Sequence, residues 1–228
     1  MQLEGAELTS YYFPNPVTPD YLRKLKAHCF RMGLDVSGTA VGNDFGHPQG
    51  EQRQKEIDGL KQSIDHADIL GAPVIRIFAG NVKKGTTPEE SHKLMVSGME
   101  ECCDYAGKRG IYLALENHGG PTATADGLLR LVNDVKSPWF GVNLDTGNFR
   151  GEDVYGDLAR VAPHALNVQV KVVITEGGKQ QPMNFKRLAE ILRKSAYRGY
   201  VVLEYEENKE PRAACLEFMD QIRAAFVG

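Results

Sequence analysis

Seven short strand-like runs recur along the chain, at residues 5–12, 34–42, 73–80, 111–119, 140–148, 165–173 and 200–206, separated by segments of helical periodicity. Helix starts are marked by Thr18-Pro19-Asp20 and Thr87-Pro88-Glu89-Glu90, and stops by Gly33, Gly71, Gly110 and Gly199. Strict alternation of this kind implies parallel strands joined by crossover helices. An open doubly wound sheet would carry a Gly-rich phosphate turn after an early strand, and neither G-x-G-x-x-G nor G-x-x-x-x-G-K-[ST] occurs. A closed (β/α) barrel instead gathers polar residues at the C-terminal ends of its strands, as this chain does. The fold class is therefore α/β, a (β/α) barrel with seven recognisable βα units. An eight-stranded barrel needs one more unit, so the expectation is that the first is missing and that residues 1–228 form a single, gapped domain.

Residues two apart in a strand share a face. Glu116 is expected to share one with His118, Asn143 with Asp145, Asn167 with Gln169 and Lys171, Glu204 with Glu206, and Arg76 with Phe78. The opposite faces are apolar and suit packing against helices, which puts the polar set inside the barrel. Burying Glu116, Asp145 and Glu204 uncompensated costs several kcal/mol per charge, and a divalent cation relieves that cost. With the amide oxygen of Gln169 the donors are all oxygen, a set suited to Mn²⁺ or Mg²⁺ more than to Zn²⁺.

The segments "LALENHGG", "GVNLDTGN", "NVQVKV" and "GYVVLEYE", in that order and spacing, resemble the xylose isomerase-like TIM barrel superfamily of sugar phosphate isomerases and epimerases. The resemblance covers essentially the whole chain. It implies a TIM barrel and one divalent cation, most often Mn²⁺ with Mg²⁺ or Co²⁺ as alternatives, held by Glu116, Asp145, the position of Gln169, and Glu204. The family's H-x-K reads Gln169-Val170-Lys171 here, so an amide stands where an imidazole is usual. The implied chemistry is isomerisation or epimerisation of a sugar through an enediolate, with Glu116 and Glu204 as the two proton-transfer groups. Arg76, His118 and Lys171 are the expected substrate-binding residues.

Composition narrows the partners. A net charge of −3 and a pI near 6.1 leave no basic surplus for nucleic acid, and six histidines are few for a DNA-repair relative of the same fold. No apolar stretch is long enough to span a bilayer, and the first residues do not read as a signal peptide. Four cysteines without C-x-x-C spacing fit a reducing cytoplasm. A small carbohydrate is the expected partner, and unpaired strand edges would favour a homo-oligomer. A keto-sugar dehydratase or lyase, which begins with the same proton abstraction, and a non-catalytic sugar binder are the competing functions.

Overall fold

Most helix starts fall where the sequence supplies side-chain caps, the helix after Gly50 being an exception. The structure, a computed structural model, describes residues 3–226. Helix α1 (Pro19–Arg31) follows Thr18, whose hydroxyl accepts from the Tyr21 amide, and α3 (Pro88–Gly107) opens with a full capping box between Thr87 and Glu90. The other helices are α2 (Glu51–Leu70), α4 (Ala125–Asp134), α5 (Val154–Val161), α6 (Phe185–Lys194) and α7 (Pro211–Phe226).

The strands β1 (Gly5–Thr9), β2 (Asp35–Ala40), β3 (Val74–Ile77), β4 (Tyr112–Glu116), β5 (Phe140–Asp145), β6 (Ala165–Val170) and, after a hairpin, β9 (Val201–Leu203) form one seven-stranded parallel sheet. It curls into a nearly closed barrel in the order β1-β2-β3-β4-β5-β6-β9. Side-chain alternation sorts as the sequence requires. Ile75, Ile77, Leu113, Leu115, Val142, Leu144, Val168 and Val170 are fully buried and join a cluster with Ile64, Met99, Leu128, Leu158 and Leu188 from the helices. The opposite face carries Arg76, Glu116, Asn143, Asp145, Asn167 and Gln169, buried polar residues in place of the branched aliphatics that usually fill barrel interiors.

Two features depart from the strand reading. The run 165–173 is not one strand: β6 ends at Val170, and Val173 begins an antiparallel hairpin, β7 (Val173–Glu176) with β8 (Lys179–Pro182). Its two-residue turn is Gly177-Gly178, both at positive φ (55° and 73°), a conformation that matches strand twist and favours glycine. The strand ends are also shorter than the apolar runs suggest, β4 stopping at Glu116 and β9 at Leu203.

Among the described residues β1 and β9 do not pair, so the barrel has a seam. A cavity of about 240 Å³ lies there, lined by Gly5, Glu7, Ser37, Tyr200, Leu203 and Met219 among others. Side chains span the seam: the Tyr200 hydroxyl donates to Asp35 at 2.7 Å, and Glu7 on β1 accepts from Asn167 and Gln169 on β6. No helix among the described residues is long and apolar enough to cross a membrane.

The contact between the end of α3 and Trp139, the residue before β5, gives a test of the packing. A Cβ added at Gly107 would stand 2.2 Å from Trp139 Cδ1. Gly107→Ala is therefore expected to destabilise by about 1–3 kcal/mol through overpacking, although helix propensity alone favours the change by about 1 kcal/mol. Urea denaturation reads the sign, and a more stable variant would show that Trp139 yields.

Candidate active site

Four neighbouring strands bring the expected acids and the amide to one end of the barrel. Glu116 and Asp145 are the last residues of β4 and β5, Gln169 is the penultimate residue of β6, and Glu204 directly follows β9. The register aligns Asp145 with Gln169 and Gln169 with Val202, so Glu204 lies beyond the Gln169 level. Glu116 is 4% exposed, Asp145 0% and Gln169 3%, which makes charge compensation the governing question.

That compensation comes from two basic side chains. Arg76 Nε lies 2.9 Å from Glu116 Oε2, as a close ion pair whose angle is not that of an aligned hydrogen bond. Asn148 Nδ2 donates to the other Glu116 oxygen at 3.0 Å. The guanidinium is fixed by donation from Nη1 to the Val41 carbonyl and by the Phe78 ring, 4.0 Å away. Lys171 Nζ meets three carboxylates, at 2.7 Å from Glu206, 2.9 Å from Glu204 and 3.4 Å from Asp145 Oδ2. Thus Arg76 and Lys171, the expected substrate-binding residues, pair with the site's acids.

Burial pushes Glu116 up to about 8; Arg76 opposes the shift, while Asp145 and Glu204 add repulsion. Burial likewise lifts Asp145 to about 7 against the pull of Lys171 and the Gly147 amide. Burial disfavours the Lys171 cation, but Asp145, Glu206 and Glu204 outweigh it, and its affinity for the proton rises. A carboxyl that gains and loses its proton near neutrality is suited to general acid and base work.

The backbone at this end is fixed by Asn117. Its Nδ2 donates to the Asp145 carbonyl and its Oδ1 accepts from the Asp145 amide, both at 2.9 Å, continuing the β4–β5 ladder with a side chain after β4 has ended. This accounts for the residue after Glu116: Asn117 supplies one donor and one acceptor to a buried strand end that would otherwise lack both.

His118 is expected to share the Glu116 face, but β4 ends at Glu116, so strand alternation does not reach it. The residue is exposed at the rim, its amide bonded to the Glu116 carbonyl and Thr122, and its ring 4.5 Å from Phe78. With Asn43, Asp44 and Phe78 it lines a small cavity of about 100 Å³.

The expected cation can be tested against the side chains present. Asp145 Oδ2 and Glu204 Oε2 are buried oxygens without a hydrogen bond, and with Glu116 they make a hard-oxygen donor set of the right chemistry. Gln169 is differently placed: its Nε2 donates to Glu7 at 2.6 Å and its Oε1 accepts from Asn143. In the conformation seen, no three acidic, His or Cys side chains among the described residues converge on one point, and the Lys171 ammonium stands between Asp145 and Glu204. The three carboxylates have the chemistry of hard-cation ligands, but in this conformation they do not converge on one point, Lys171 pairs with two of them, and Gln169 is engaged elsewhere.

Glu7 and Asn148 belong to this cluster and were not among the expected residues. The alternation that places Glu116 inward also places Glu7 opposite Ala6 and Leu8, so the signal was present in "GAELT". Asn148 lies in the loop after β5, where strand periodicity carries no information.

Comparison with known proteins gives the family of the chain. The L-ribulose-5-phosphate 3-epimerase UlaE of Salmonella paratyphi A is 25% identical over 206 residues, covering 84% of this chain and 72% of that protein. The D-psicose 3-epimerase of Clostridium cellulolyticum H10, solved with D-tagatose, superposes with a TM-score of 0.78 at 15% identity, over 92% of this chain and 85% of that one. A barrel protein from Mycobacterium smegmatis, solved in complex with magnesium, gives a TM-score of 0.76 at 18% identity, over 98% and 83% of the two chains. Residues 2–222 match the family described as xylose isomerase-like TIM barrel, and the chain belongs to that family.

Proposed function

We propose that this protein is a sugar epimerase or isomerase that moves a proton on a carbon beside a ketose carbonyl, with Glu116 and Glu204 as the proton-transfer groups. The observation that carries the reading is Glu116: a buried strand-end carboxyl held near neutral proton affinity, in one cluster with a second, more accessible glutamate. The relatedness to UlaE, an epimerase of a ketose phosphate, supports the same chemistry.

The roles follow from the contacts. Glu116 is oriented through both oxygens, by Arg76 and Asn148, so its proton is taken up and returned at a fixed place. Glu204 is about one-third accessible and, among the described residues, its ion pair is with Lys171, which leaves it free to meet the opposite face of the sugar. Removal of a proton by one acid and delivery by the other inverts the carbon; delivery to the neighbouring carbon isomerises the sugar. Lys171 and Arg76 keep positive charge beside the place where an enediolate oxygen develops. A divalent cation, with Mn²⁺ preferred and Mg²⁺ or Co²⁺ as alternatives, would be held by Glu116, Asp145 and Glu204 and would polarise the carbonyl and neighbouring hydroxyl. Phe78 and His118 at the rim present flat surfaces to a sugar ring.

The test is solvent exchange. The protein, loaded with Mn²⁺ and incubated in deuterated water with L-ribulose 5-phosphate, D-psicose or D-tagatose, is expected to place deuterium on a carbon adjacent to the carbonyl, as read by NMR. Glu116→Gln and Glu204→Gln should each slow that incorporation by about 10²–10⁴-fold. Full exchange in both variants would remove the two-acid scheme, and loss of water from the sugar would reassign the enzyme as a dehydratase.

Charge compensation gives a second test. Lys171→Met leaves Asp145 and Glu204 without their cation and is expected to destabilise the metal-free protein by about 3–5 kcal/mol. Asp145→Asn in the same background should recover much of that loss in urea unfolding. An unchanged midpoint for Lys171→Met would show that the acids need no partner.

A further inference from the structure

Beside Asp145 four polar side chains close a ring. Gln169 Nε2 donates to Glu7 Oε1 and Asn167 Nδ2 to Glu7 Oε2, each at 2.6 Å. Asn167 Nδ2 also donates to Asn143 Oδ1 at 2.8 Å, and Asn143 Nδ2 donates to Gln169 Oε1. The three amides are buried, and they come from β5 and β6 while the carboxylate comes from β1.

Burial raises the proton affinity of Glu7 and the Asn167 and Gln169 donors oppose it; in its ionised form the carboxylate can only accept, and this decides the orientation of every amide in the ring. Gln169 must turn its nitrogen to Glu7, so its oxygen faces Asn143. Asn143 must then present its own nitrogen to Gln169, which leaves its oxygen for Asn167. The second Asn167 hydrogen closes the ring on the remaining oxygen of Glu7. One charged group thus removes the ambiguity that each amide would have alone.

We infer that Glu7 is a positioning residue of the site. It fixes Gln169 with its nitrogen toward β1 and its oxygen toward β5, so that residue 169, level with Asp145, is held by its neighbours and does not serve as a fourth oxygen ligand. The ligand half of this inference rests on the cation site proposed above; the orienting half does not.

Two measurements separate them. In ¹⁵N-labelled protein without metal, the side-chain amide hydrogens of Gln169 and Asn167 are expected to exchange with water at least about tenfold more slowly than free amides, as charge-assisted hydrogen bonds require. Glu7→Gln offers one acceptor oxygen in place of two, so protection should fall by about tenfold at one amide or both. Free-amide rates in the wild type, or unchanged protection in a folded Glu7→Gln variant, would overturn the orienting role; the wild-type rates decide it should that variant not fold. Mn²⁺ affinity, followed by electron paramagnetic resonance, is expected to weaken by about tenfold or more in Asp145→Asn and by markedly less in Gln169→Met, which loses a supporting side chain and no ligand. Equal weakening in the two variants would make Gln169 a ligand and overturn the second half. A wild type that takes up no Mn²⁺ would remove the cation from the proposed function, with the exchange rates still deciding the role of Glu7.

Discussion

The site depends on the pairing of buried acids with buried bases. A carboxylate at the end of a parallel strand, with its neighbours packed outward against helices, has only the barrel interior to occupy. Glu116 and Asp145 stay there because Arg76 and Lys171 reach them, and those basic groups are themselves held by the Val41 carbonyl, the Phe78 ring and a third acid, Glu206. The balance is incomplete: two acid oxygens have no hydrogen bond, and both buried carboxyls hold their protons far more tightly than free ones. Incomplete balance is costly for folding, and it is also what makes a carboxyl useful for moving protons.

The main features of the barrel were legible because two periodicities dominate it. Alternation at every second residue separated Leu113 and Leu115 from Glu116, and Leu144 from Asp145, without knowledge of any contact. Capping residues located the helix starts equally well. What failed were inferences carried past the end of a strand. His118 was placed inward by counting two from Glu116, but β4 had already ended and the chain had turned to the rim. Val173 was counted into β6, although the Gly177-Gly178 turn begins a separate hairpin that a local reading of "ITEGGKQQ" could have supplied.

The partners of the site residues were less legible than their positions. Arg76 and Lys171 were expected at the site and are there, yet their contacts are with the site's acids. Glu7 is separated from Gln169 by 162 residues, and only closure of the sheet brings them together. Sequence periodicity states which way a side chain points; it does not state which of several inward groups it will meet. Asn117 shows the same limit at short range, since its bonds to the Asp145 backbone depend on the β4–β5 register.

The seam between β1 and β9 gives the barrel the mechanics of a split ring. In a ring closed by backbone ladders, strand number and stagger fix the bore. Here the bore across the split is set by a few side chains, with Tyr200 clasping Asp35 on the outside and Glu7 gripping β6 on the inside. Glu7 lines the seam cavity and belongs to the amide ring beside Asp145, so the seam and the wall of the site share one residue. The wall of the site is therefore built from the side of the barrel as well as from its mouth.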